Sequence, residues 1–361
     1  MESFLFILAI PILLALFARI YLNSTITTGE MFAQLGITLC VTIVLWFAGS
    51  YVDVSDVEIR NGKIISKHVV KDQYTESYQC NCRQQCSGSG ETRSCYQICS
   101  TCYREHYTKT WFAKSTVGDI RFDHVDSLSK NRAWSTPDPK SYINCVPGEP
   151  ASREFRFTNY VKAVPESLFN NKLENTEFQS LQYPSVHSFY KINRVIDVNN
   201  IADPKQVQLL NKSLNESLKE LGPNKQVNIV VIVTDDPSPS YKFSVENDWL
   251  GGKKNDVIVF FGLSNNEIMW VDSMTWALNK GNENLHNRLN ADLRSIKQFN
   301  ANQIHKALVN NINLLYDRPQ MSDFEYLKDD INPPVWLVVT AVLLNLIGGA
   351  ILIYIFHKRD F

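Results

Sequence analysis

Residues 227–233 read Val-Asn-Ile-Val-Val-Ile-Val, and residues 257–262 read Val-Ile-Val-Phe-Phe-Gly. Short runs that are apolar almost throughout, rather than alternating, are the pattern of strands buried on both faces. Helix signals stand on either side of them. Upstream, Asp203-Pro204-Lys205-Gln206 supplies an N-cap, a proline for the first helical position and a glutamine where a capping box wants one. Val207, Leu210, Leu214, Leu218 and Leu221 follow at intervals of three and four, one apolar helical stripe. Gly222-Pro223 is the expected stop. Downstream, a short helix is expected before residues 248–256, then a turn at Ser264-Asn265-Asn266 and a third strand over 267–271. Two helical stretches, 284–297 and 302–316, complete the set. Strands alternating with helices predict an α/β layered sheet over roughly 191–320.

The opening Val195-Ile196-Asp197 with its capped helix, the strand 229–233, the loop 249–256 and the strands 257–262 and 267–271 together resemble the TPM-domain family. The resemblance covers roughly 192–315, about a third of the chain. It implies a small α/β domain tethered to a membrane by a terminal helix. Some members of that family resemble acid phosphatases or bind calcium, and others are accessory or assembly factors of membrane complexes. Fold does not decide between these. This chain departs from the family's glycine-and-tyrosine turn after the third strand, reading Asp272-Ser273-Met274-Thr275-Trp276 instead. Any site that this turn helps to form in the family is altered or absent here.

Asp197, Asp235, Asp236 and Asp256 fall at or beside the ends of the expected strands. Ligands of open α/β sheets bind outside the carboxyl ends of strands, and converging carboxylates there would hold Ca2+ or Mg2+. The plainer reading makes Asp197 and Asp256 turn caps and Asp235-Asp236-Pro237 a strand-ending turn. Gly251-Gly252-Lys253-Lys254 lacks P-loop spacing and precedes a strand, so it reads as a solvated loop. No Gly-x-Ser-x-Gly elbow and no His-Glu-x-x-His occurs.

Before this domain, over 50–190, short alternating runs predict a β-rich domain with a linker. Val57-Glu58-Ile59-Arg60 and Lys63-Ile64-Ile65-Ser66 flank Asn61-Gly62, the signature of a type I′ hairpin. Two more strands are expected at 74–78 and 103–112. Between them lie Cys80, Cys82, Cys86, Cys95, Cys99 and Cys102, with Cys145 standing apart. The favoured reading is a disulfide staple at the end of a long hairpin in an oxidising location. A Zn2+ site competes through Cys99-x-x-Cys102, but the amino-side cysteines lack the matching spacing. Either way these cysteines are structural, and an odd number of them leaves one unpaired or linked between chains.

Three apolar blocks, 4–21, 31–49 and 333–356, are expected to be transmembrane helices. No charged residue falls within 31–49 or 335–356. Arg19 and the terminal His357-Lys358-Arg359 place those ends in the cytoplasm, the tail being 357–361. The N-terminus and residues 50–334 are then outside, periplasmic or extracellular. The expected class is a multi-pass membrane protein with an α+β outer region. The full chain has 36 Lys+Arg against 37 Asp+Glu and is 44% hydrophobic, which argues against disorder and against nucleic-acid binding. The expected partners are the lipid bilayer and another membrane or envelope protein; a homo-oligomer fits the same reading. The expected function is an outer-face interaction or assembly module, with a metal-dependent phosphatase as the alternative.

Overall fold

The computed structural model describes residues 2–22, 26–88, 93–122, 136–164, 181–276, 282–331 and 334–359. Three apolar helices, α1 (Glu2–Tyr21), α2 (Thr28–Asp53) and α9 (Val335–Arg359), pack against one another. Two have the length and composition of a membrane span, Thr28–Gly49 and Val335–Lys358, whereas the apolar part of α1, Ile7–Tyr21, is shorter. Their interface is partly polar. Gln34, Thr38, Thr42 and Asn345 are buried in it, and Asn345 Nδ2 donates to Thr42 Oγ1 at 2.7 Å. A Cβ on Gly49 would fall 2.3 Å from Leu337 Cδ1, so the glycine admits the neighbouring helix. Arg19 donates to the Ile26 carbonyl at 3.1 Å and ties α1 to the start of α2. Thr42→Val keeps the shape and removes the acceptor. It should cost the bundle about 0.6 kcal/mol, the average for such interhelical bonds, read as a lowered melting temperature in detergent.

After α2 the chain enters β1 (Ser55–Ser87), one strand of 33 residues. Its first part pairs with β4 (Pro150–Thr158) and the rest with β2 (Ser94–Ser115), while β3 (Ile120–Arg121) adds to β2. The antiparallel sheet has the order β3-β2-β1-β4. The hairpin expected at Asn61-Gly62 is therefore not formed, and both residues lie inside β1. The cause is tertiary. The Asn61 side chain is committed to a distant buried cluster, and a Cβ on Gly62 would fall 1.9 Å from Thr116 Oγ1. Glycine here makes room for a neighbour and does not turn the chain. Two short helices, α3 (Lys140–Asn144) and α4 (Tyr160–Ala163), flank β4.

Among the described residues, only the base of the β1–β2 ribbon has a core, formed by Ile64, Trp111, Ala113, Ile120, Phe122 and Tyr142. From Lys71 outward the ribbon is an arm with mostly exposed residues. At roughly 3.4 Å per residue it extends on the order of 50 Å before twist shortens it. Three nested disulfides, Cys80–Cys102, Cys82–Cys99 and Cys86–Cys95, cross its far end. The register slips by one between Cys80 and Arg83, where Asn81 has φ 48°, a bulge of the kind that bends a strand. All six cluster cysteines are bonded, so the zinc reading loses its thiolates. The odd cysteine is Cys145, unpaired and buried in the base core, with its thiol pushed up chiefly by burial.

The second sheet has the order β5-β6-β7-β8. Its strands are β5 (Val195–Asp197), β6 (Asn228–Thr234), β7 (Asp256–Ser264) and β8 (Glu267–Thr275). The first three are parallel and β8 returns antiparallel. Ile229, Val231, Val257, Val259 and Phe261 face α5 (Pro204–Lys225), α7 (Asn282–Arg294) and α8 (Ala301–Leu315). Val230, Ile232, Ile258 and Phe260 face α6 (Tyr241–Asp248), Trp249 and Met274. Full burial on both faces explains the continuous apolar runs. A 3-10 segment, Met321–Asp330, leads on to α9.

Three local expectations need correction. α5 does not stop at Gly222-Pro223 but continues to Lys225, ending at Gln226 with φ 52°. Gly222 lies within it because a Cβ there would fall 2.4 Å from the Asn61 carbonyl oxygen. Asp203 caps α5 as expected, accepting from Lys205 N, but Gln206 accepts instead from Ala301 N at 2.9 Å and so joins α5 to α8. The stretch Asp272–Thr275 is not a turn but the continuation of β8.

Candidate functional site: a buried polar seam and the cleft beside it

β1 and β4 meet the amino ends of β6 and β7, and the join is polar. Arg194, just before β5, is fully buried. Its Nε donates to Asn215 Oδ1 at 2.8 Å, its Nη2 to Ser152 Oγ at 2.8 Å and to Asn61 Oδ1, and its Nη1 to Asn228 Oδ1. Asn228 then links the guanidinium to a carboxylate, because its Nδ2 donates to Asp256 Oδ1 at 2.8 Å. Tyr183 OH, which accepts from the same Nδ2, donates to Asp256 Oδ2 at 3.0 Å. Lys253 N completes the Asp256 shell at 2.8 Å. Burial pushes Asp256 up to about 6 and Arg194 down to about 10. A buried charge is tolerated where its hydrogen bonds are met, and one asparagine meets both charges here.

A second charged cluster adjoins the first. Glu58 of β1 is buried and accepts from Arg318 Nη2 at 2.6 Å and from Arg60 Nε at 2.9 Å, with Lys254 Nζ 3.7 Å away. Burial pushes the Glu58 carboxyl up, but these cations outweigh it and hold it below its ordinary value. Lys254, over the Phe157 ring, is pushed down to about 8, chiefly by burial. Asn255 Nδ2 donates to the Ile59 carbonyl at 2.8 Å, so a side chain beside β7 also bonds the backbone of β1.

Beside the seam lies a cleft of ≈ 240 Å3, lined by Asp56, Lys162, Tyr183, Trp249, Lys253 and Trp276 among others. Its floor is the loop after α6, where Leu250, Gly251 and Gly252 have φ of 51°, 79° and 84°. A Cβ on Gly252 would press to 2.8 Å from Ile258 Cδ1 and 3.1 Å from Asp256 Oδ2. The glycine pair serves a tight turn that brings Lys253 N onto Asp256.

The four aspartates singled out from sequence do not share one place. Asp197 accepts from Ile201 N at 3.0 Å and Ala202 N at 2.9 Å, closing a turn. Asp235 accepts from Asn199 Nδ2 at 2.6 Å, and Asp236 Oδ1 from Ser238 N at 2.8 Å. Those three sit at the carboxyl ends of β5 and β6. Asp256 sits at the amino end of β7, opposite Asn228, roughly 20 Å away along a seven-residue strand. Among the described residues, no three His, Cys, Asp or Glu side chains are gathered as a metal ion would need. Arg194, Asn61, Asn228, Tyr183 and Glu58 escaped sequence reasoning. The available signal was Asn228, a lone amide opening an otherwise apolar run.

Ser217 with His305 and Ser273 with His286 are serine–histidine pairs at hydrogen-bond distance, and the second is the more deeply buried. Ser273 Oγ lies 2.7 Å from His286 Nδ1, but it donates to Asn290 Oδ1 at 2.7 Å, and His286 Nε2 is held by Thr275 Oγ1 at 3.0 Å. Ser273 and His286 are both buried and the serine is shared with Asn290, so the contact is part of a polar network inside the domain. Burial pushes His286 down to about 4 from an ordinary 6.5. Between those values the unfolded chain takes up a proton that the folded chain refuses. Stability should therefore fall as pH drops from 6.5 towards 4, by at most about 1.4 kcal/mol per pH unit from this group. Denaturant melts of the protein and of His286→Gln across that window test this; equal slopes would remove His286 as the source.

No family model matches the chain, and no curated protein matches it. The fold defines an α+β protein of two four-stranded sheets, with three disulfides in a strand region. Two of its helices are long and apolar enough to cross a membrane.

Proposed function

We propose that this protein is a membrane-anchored interaction or assembly module whose hairpin arm is its working surface. In this reading residues of about 50–334 lie on the outer face, where disulfides persist, and the α/β domain, TPM-like in its order of elements, is the platform that carries the arm. The observation that carries it is the arm itself. It projects beyond any core, is stapled at its end, and exposes Tyr74, Tyr78, Tyr96, Ile98 and Tyr103. Tyrosine brings large contact area and a polar tip at low entropic cost, and it is enriched where proteins meet. The partner is a second protein of the same membrane or envelope. A metal-dependent phosphatase has less support, since Asp256 lies apart from Asp235 and Asp236. The test is affinity capture from native membranes with the full-length protein and with a Tyr74→Ser, Tyr78→Ser, Tyr103→Ser variant. A partner retained by the former and lost by the latter is the expected result. Capture of the same proteins by both, or of none specifically, would sink the proposal.

A further inference from the structure

Arg60 and Arg153 are direct partners across the β1–β4 ladder. Cross-strand partners project to one face, and like charges placed opposite each other destabilise a sheet. The carboxylate nearest to Arg60, Glu58, is shared with Arg318 and Lys254, so three cations divide one negative charge. Arg153 and Arg156 are exposed and form no ion pair among the described residues. The arginines are also placed. The Arg60 guanidinium carbon lies 3.4 Å from the Phe155 ring centroid, which holds it flat. Gly118 has φ 105°, and a Cβ there would fall 2.4 Å from Arg153 Nη1, so the missing side chain makes room for the second guanidinium. These groups line a groove of ≈ 760 Å3 in which Glu154 is the one carboxylate among the lining residues.

We propose that this groove binds a phosphate-bearing polyanion, one negative group of which sits between Arg60 and Arg153. Paired guanidiniums match phosphate oxygens in geometry as well as charge, and a bound anion turns the like-charge register pair from a cost into a bridge. Two sources share that chemistry. One is an anionic lipid headgroup, since β1 begins two residues after α2 ends and Arg156 pairs with Val57 near that start. The other is a soluble phosphate compound.

The test uses the full chain. Protein in phosphatidylcholine nanodiscs is titrated with inorganic pyrophosphate, and protein purified from mixed phosphatidylcholine and phosphatidylglycerol micelles is assayed for retained lipid. Pyrophosphate binding without lipid selection assigns a soluble ligand. Retained phosphatidylglycerol that pyrophosphate displaces assigns the headgroup. In either case Arg153→Gln with Arg156→Gln should weaken binding roughly tenfold or more, the loss of at least one charge-assisted contact. Glu154→Gln should strengthen it, a gain that misfolding cannot imitate. Binding of neither probe, or equal binding by wild type and the double arginine variant, overturns the proposal.

Discussion

Arg194→Met should lower the stability of the two-sheet region by about 3–5 kcal/mol, the usual cost of removing one member of a buried charge network. At 2–4 °C per kcal/mol for a region of this size, the melting temperature should fall by roughly 6–20 °C. Methionine fills the volume but donates nothing. Asn215 Oδ1 loses the guanidinium donor, and Asn61 Oδ1 and Asn228 Oδ1 each lose one of theirs. Asp256 loses a buried cation with which its charge interacts. Because Asn61 and Ser152 belong to the antiparallel sheet and Asn228 to the mixed one, the damage falls on their join. A cycle with Asn61→Ala should be non-additive by more than about 0.5 kcal/mol, as expected for residues in one network. A melt shifted by less than about 2 °C would mean that the seam is not what holds the sheets together.

Replacing all six arm cysteines by serine should act in a different place. The three bridges close nested separations of 9, 17 and 22 residues. Each would be worth about 2–4 kcal/mol alone, and less in sum because each shortens the loop the next one closes. The distal ribbon has little else, since a lone two-stranded hairpin is marginal in water. Amide exchange at residues 77–88 and 93–103 should rise towards unprotected rates, while β6 and β7, inside the α/β core, keep their protection. The partner captured by the intact arm should be lost as well. Unchanged protection of the arm would show that its ladder stands without the staples.

Local pattern carried much of this fold. The two buried strands, the α5 stripe with its Asp203 cap, the helices after β8, the apolar blocks and the cysteine cluster were legible because each is written in neighbouring residues. Where reading failed, the residue answered to a distant partner. Asn61-Gly62 has the composition of a turn, yet Asn61 bonds to Arg194 and Asn228, 133 and 167 residues away. Gly222-Pro223 has the composition of a helix end, yet the glycine is there for the approach of β1. Asp256 looked like its fellow aspartates, and only strand direction put it at the other end of the sheet.

What the sequence by itself determined is the set of elements and their class: buried parallel strands, amphipathic helices, a stapled ribbon and apolar helices of spanning length. These follow from period and composition, which local hydrogen bonding and burial enforce. The tertiary structure decided which polar groups meet. A buried arginine and a buried aspartate coexist here because their own donors and acceptors are met by side chains from distant elements. That matching draws on β1, β4, α5, β6 and β7 together and on the tyrosine of a connecting segment.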